Sequence, residues 1–145
     1  MLFSNKREDV RRQFVQAWRK VREGRPVTAL EDQIASVVAE HPEYHALLEK
    51  GEDAVDREWT PEQGETNPFL HLGMHIAIRE QLSTDRPPGI RAAHAQLVKE
   101  LGDPHAAEHE MLECLGLTLW EAQRHGRMPD EKAYLKCVIE RARKP

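Results

Sequence analysis

At 145 residues the chain has the size of one ordinary domain, long enough to bury about two-thirds of its unfolded surface in a single core. Charged residues make up 32% of it and the formal net charge is −4, with the two signs interspersed, which argues against nucleic acid as a partner. No apolar run approaches the roughly 20 residues needed to cross a bilayer, and no charged region followed by an apolar stretch and cleavage site opens the chain, so a cytoplasmic location without membrane contact is expected.

Residues 5–23 carry Val10, Phe14, Ala17, Trp18 and Val21 at the three-four spacing of an amphipathic helix, which Gly24 and Pro26 end. The basic stretch from Lys6 to Arg25 is interrupted by Glu8, Asp9 and Glu23 and reads as a solvated face. Thr28 followed by Glu31 forms a capping box, in which hydroxyl and carboxylate each satisfy a backbone donor at a helix start. A second helix therefore runs through Leu30, Ile34, Val37 and Val38 to His41. Pro42 cannot donate to the helical ladder, so the helix must kink or restart near His41, and His45 is placed less securely.

Residues 51–66 are polar, include Pro61 and Gly64, and show no sustained period; they read as a long loop, either a lid over a site or a mobile acidic linker. Asn67-Pro68 is a strong helix start and predicts a third helix over 68–82. Pro87, Pro88 and Gly89 break the chain before a fourth helix over 90–101, with Ala93, Leu97 and Val98 inward. Asp103-Pro104 repeats the start signal for a fifth helix reaching His125, and Pro129-Asp130 opens a last one through Tyr134, Val138 and Ile139. The expected fold is all-α, a single-domain helical bundle over 1–145 of five to six helices around a four-helix core. Cys114 and Cys137 are too far apart for a CxxC motif and are expected as reduced core thiols. Trp18 and Trp120 project toward apolar neighbours and are expected in the core.

Six of the eight histidines fall into three His-x-x-x-His pairs: His41 with His45, His71 with His75, and His105 with His109. Residues four apart on a helix stand one above the other, so each pair can present two imidazoles to one ion. At about 100° per residue, His41 points with Leu30, Ile34, Val37 and Leu48. His71 falls between Met74, Ile78 and Leu82, with His75 at the edge of that arc. Glu108 lies in the middle of the arc of Leu112, Leu115 and Leu119, flanked by His105 and His109, and a carboxylate buried there needs a partner. His94 and His125 lack a partner at this spacing and read as core or surface residues.

These seven residues, His41, His45, His71, His75, His105, Glu108 and His109, are the expected metal ligands. Six imidazoles on one ion would leave its double charge uncompensated, so either one ion uses a subset or two ions share the set. Bundle metal sites also use glutamate and histidine three apart, the spacing of His105 and Glu108. Imidazole-rich ligation suits a divalent transition metal, zinc, iron, copper or nickel. Iron is favoured by analogy with dinuclear bundle sites. Glu43, Glu80, Glu113 and Glu121 are candidates to accept the second ring N–H of a ligand, with Glu80 and Glu121 more simply read as solvated.

The function expected is a metal-binding helical bundle, an oxidoreductase handling dioxygen or peroxide if its centre is dinuclear iron. A small-molecule substrate would reach it past the 51–66 loop, with Trp59 as a cover. One alternative is a non-catalytic adaptor with a buried His/Glu network; another is a metal-assisted hydrolase with Glu108 or Glu113 as base. Oligomeric state is not written in the pattern.

The run Asn67-Pro68-Phe69-Leu70-His71-Leu72-Gly73-Met74-His75 with Arg79-Glu80-Gln81 resembles a proteobacterial family, domain of unknown function 1841. So do His41-Pro42-Glu43-Tyr44-His45, Ala107-Glu108-His109-Glu110-Met111 and Leu119-Trp120-Glu121-Ala122-Gln123-Arg124. The resemblance covers nearly the whole chain and implies a bacterial cytoplasmic protein with a helical fold; it implies no activity.

Overall fold

A computed structural model of the chain describes residues 7–57, 59 and 67–143. Their regular structure is all-α, with eight α-helices and one 3-10 turn among the described residues, more than the five or six expected. They gather into two compact units, one up to Ile76 and the other from Ala77 onward.

The first unit opens with α1 (Arg7–Arg22), which packs against α2 (Ala29–Ala39). Thr28 and Glu31 form the predicted box, the Thr28 hydroxyl accepting from Glu31 N and the Glu31 carboxylate from Thr28 N. Lys20 adds an ion pair to Glu31 at 2.7 Å, and that bond, ahead of the cap itself, holds the Glu31 carboxyl below its usual range. The helix stops before Pro42, as the ring requires. His41 caps a single 3-10 turn, Pro42–Tyr44, and α3 (His45–Glu49) restarts the chain.

The 51–66 segment is not wholly without structure. Gly51, at φ 66°, turns the chain into α4 (Glu52–Asp56), and Ala54 and Val55 of that turn are buried. Five residues are too few to show a helical period, which is why the pattern reads as loop. Beyond α4, the expected lid is described only at Arg57 and Trp59; residues 58 and 60–66 lie outside the described residues. Trp59 packs edge-on to Phe69 at 5.8 Å, with the Arg11 and Arg57 guanidiniums over its ring.

The first unit's core joins Phe14 and Ala17 of α1, Ile34, Val37 and Val38 of α2, and Leu48 of α3. Phe69, Leu72 and Ile76 of α5 (Pro68–Thr84) complete it. Asn67 starts α5 as expected, its carboxamide oxygen accepting from the Phe69 and Leu70 amides. Two expectations on α1 fail: Val21 is exposed, while Arg11 is buried, its guanidinium donating to the Val55 and Arg57 carbonyls.

In the second unit, α6 (Ile90–Leu101), α7 (Pro104–His125) and α8 (Glu131–Arg143) pack pairwise. Asp103 caps α7 through the His105 amide, and Asp130 caps α8 through Lys132 and Ala133. The Tyr134 hydroxyl donates to Gln81 at 2.6 Å, and its burial raises the phenol well above its ordinary value. The two cysteines are not free thiols. Cys114 on α7 and Cys137 on α8 form a disulfide with Cα atoms 5.8 Å apart. Their separation of 23 residues carries no motif; the turn at Gly126 brings them together by running α8 back along α7. Trp120 also departs from expectation, being 53% exposed beside an equally exposed Leu117, so its apolar neighbours do not make a core there.

Candidate metal centre

The first unit brings three histidines to one point. His41 leaves the C-terminus of α2, seated by the buried Val37 and Val38, while His71 and His75 stand one turn apart on α5, seated by Phe69, Leu72 and Ile76. His41 and His75 are buried, and His71 is half-buried. His41 Nε2 lies 3.1 Å from His75 Nε2, which lies 3.2 Å from His71 Nε2. One ring nitrogen from each of the three is within 4.8 Å of the others.

The other nitrogen of His41 decides how this cluster works. Nδ1 lies 2.8 Å from the Val37 carbonyl oxygen, which can only accept, so Nδ1 carries the proton. In the neutral ring, Nε2 is then a lone pair facing His75 Nε2. A carbonyl that fixes tautomer and ring plane in this way is the usual support behind a metal-bound histidine.

Two of the three pairwise spacings match a shared ion. Nitrogens about 2.05 Å from one ion stand roughly 3.3 Å apart at tetrahedral angles and roughly 2.9 Å apart at right angles. The observed 3.1 and 3.2 Å fall between.

Tyr44 closes one side of the cluster. Its ring stacks parallel to His41 at 5.8 Å between centroids and meets His71 edge-on at 6.0 Å. Burial, helped by the neighbouring Glu43 charge, pushes its hydroxyl above the ordinary phenol value and keeps it protonated.

His45 does not join this group. Its Nε2 donates to the Val38 carbonyl at 2.8 Å and its ring lies 4.4 Å from that of Trp18, so it serves the packing of α3 on α1. The restart at Pro42 breaks the four-residue register that would have stacked it over His41. His75 is the more buried member of its pair and His71 the less, the reverse of the sequence expectation. Apolar residues surround α5 on most sides, which leaves the direction of its buried face ambiguous from periodicity alone.

In the second unit, Glu108 is buried on α7 as predicted, and the partner its charge requires is a guanidinium: Arg79 Nε stands 3.2 Å from its carboxylate. His94 of α6 is half-buried, and burial pushes its imidazole below the ordinary value while the Glu108 charge opposes this. His105 is exposed and His109 half-buried, their rings edge-on at 4.2 Å. Glu113 pairs with Arg141 at 2.6 Å. Arg79, His94 and Tyr44 had no periodic signal of their own; only Arg79 could have been sought, as the cation that an inward Glu108 demands.

The sequence profile of a family described as domain of unknown function 1841 matches residues 6–140. The chain belongs to that family. No curated protein and no solved structure matches the chain. The name domain of unknown function 1841 states no activity. No described helix is long and apolar enough to cross a membrane.

Proposed function

We propose that this protein binds one transition-metal ion through His41, His71 and His75. The observation that supports this most is the fixed His41 tautomer, which turns an Nε2 lone pair toward His75 Nε2 at 3.1 Å, itself 3.2 Å from His71 Nε2. Three donors suit one ion using a subset of the candidates, rather than two ions sharing them, the two arrangements left open by the sequence. Of the α7 candidates, His105 is exposed and Glu108 already holds Arg79.

Neutral imidazoles leave the ion its full positive charge, which favours acidifying a bound water or cycling between oxidation states. Three imidazoles at one ion suit iron with dioxygen or peroxide chemistry and zinc with hydrolytic chemistry alike, since the dinuclear analogy that favoured iron does not carry over to a single ion. The exposed Trp120 favours, as the alternative, an adaptor whose histidines form a metal-free network. A cytoplasmic location belongs to this proposal, and a persistent Cys114–Cys137 bond in cell extracts would argue instead for an oxidising compartment.

Elemental analysis of tag-free protein purified without chelator tests the reading. About one equivalent of iron or zinc per chain is expected, released on acidification because each ligand must be neutral to bind. A chain that is metal-free as isolated and takes up none of the first-row divalent ions would reject it in favour of the adaptor.

A further inference from the structure

We infer that Cys137 is a site of covalent modification by small thiols, which open the Cys114–Cys137 disulfide at its exposed end. The two sulfurs share one bond but not one environment. Cys114 is wholly buried, and its helix is closed around it by the Thr118 hydroxyl donating to the Cys114 carbonyl. Cys137 is half-buried and lines a pocket of about 170 Å³ between the C-terminal half of α7 and the start of α8. Thr118, Glu121, Arg127 and Asp130 supply the polar part of that wall, Leu117 and Met128 the apolar part. A pocket of this size admits the thiol-bearing end of a molecule such as glutathione or cysteine, and Arg127 offers a cation to its carboxylate.

The chemistry is thiol–disulfide exchange and needs no outside oxidant. A thiolate attacks Cys137 Sγ, the new sulfur–sulfur bond forms there, and the electron pair of the old bond leaves on Cys114 Sγ, which takes up a proton. Access selects the sulfur that is attacked. The leaving sulfur is poor, because a thiolate expelled into apolar surroundings is disfavoured, so the exchange is slow yet confined to one site. The protonated Cys114 stays buried, and reclosure by Cys114 expels the small thiol again.

The full-length wild-type chain, its disulfide verified by mass under denaturing alkylation, is incubated with reduced glutathione, quenched in acid and mapped as unreduced peptides. The expected adduct sits on Cys137, at least about tenfold in excess over Cys114, since access decides which sulfur is attacked. An adduct on Cys114, an equal split, or no adduct until the chain is unfolded would overturn the assignment. Two variants give an independent reading with oxidised glutathione: Cys114→Ser should be labelled in native buffer, and Cys137→Ser only in denaturant. Equal labelling of both variants in native buffer, or a wild-type chain isolated with both thiols free and resistant to oxidation, would also overturn it.

Discussion

Metal supplied at 100 times its dissociation constant is expected to stabilise the wild-type chain by about 2.7 kcal/mol, and His75→Ala to erase that gain. His75 is the hinge of the cluster, the ring whose Nε2 stands within 3.2 Å of both neighbours, and no water reaches it to replace the lost donor. For a chain of this length the gain corresponds to a rise in Tm of roughly 5–15 °C. The alanine variant also leaves a cavity, so its metal-free form will melt lower for reasons of packing alone. The informative quantity is therefore the difference between loaded and metal-free melting, measured for each variant separately. His45→Ala is the matched control: its Nε2 belongs to the Val38 carbonyl, so the metal-induced rise should persist even as the Trp18 contact is lost. A rise that survives His75→Ala, or one that His45→Ala abolishes, would break the assignment of ligands.

The second large effect is expected from a residue that touches no histidine. Phe14 is wholly buried and meets Phe69 edge-on at 5.9 Å, in the same apolar cluster that seats Val37 beneath His41 and Leu72 and Ile76 beside His71 and His75. Phe14→Ala should cost about 3–5 kcal/mol, from lost burial and an unfilled cavity together. That is a large fraction of the roughly 5–15 kcal/mol that holds a domain folded. Chemical denaturation followed by tryptophan fluorescence measures it. Metal affinity should fall as well, because donors held within a few tenths of an ångström of a shared point depend on the rigidity of what supports them. Unchanged affinity in a destabilised variant would mean that the histidines are positioned by something other than this core.

Much of this arrangement is legible in the sequence where the signal is local. The capping box at Thr28 and Glu31, the Asn67-Pro68 and Asp103-Pro104 starts, and the restart at Pro42 all rest on backbone donors within a few residues, and each appears where the pattern puts it. The inward turn of His41 and Glu108 follows from clear amphipathic stripes. What is not legible depends on contacts far apart in the chain. The Cys114–Cys137 bond needs α8 to return along α7, and the Arg79 partner of Glu108 is 29 residues away. α4 is buried by α1, not by its own periodicity. Trp120 shows the opposite failure: an apolar neighbour such as Leu117 is no guarantee of a core when both face solvent. His45 was separated from the cluster by one proline, since a single 3-10 turn rotates everything after it off the face that came before.

The most direct test is X-ray absorption at the edge of the metal bound by the wild-type chain. A first shell at about 2.0–2.2 Å with the outer-shell scattering of about three imidazole rings is predicted. A shell made only of oxygen, or of sulfur, would contradict a centre built on His41, His71 and His75.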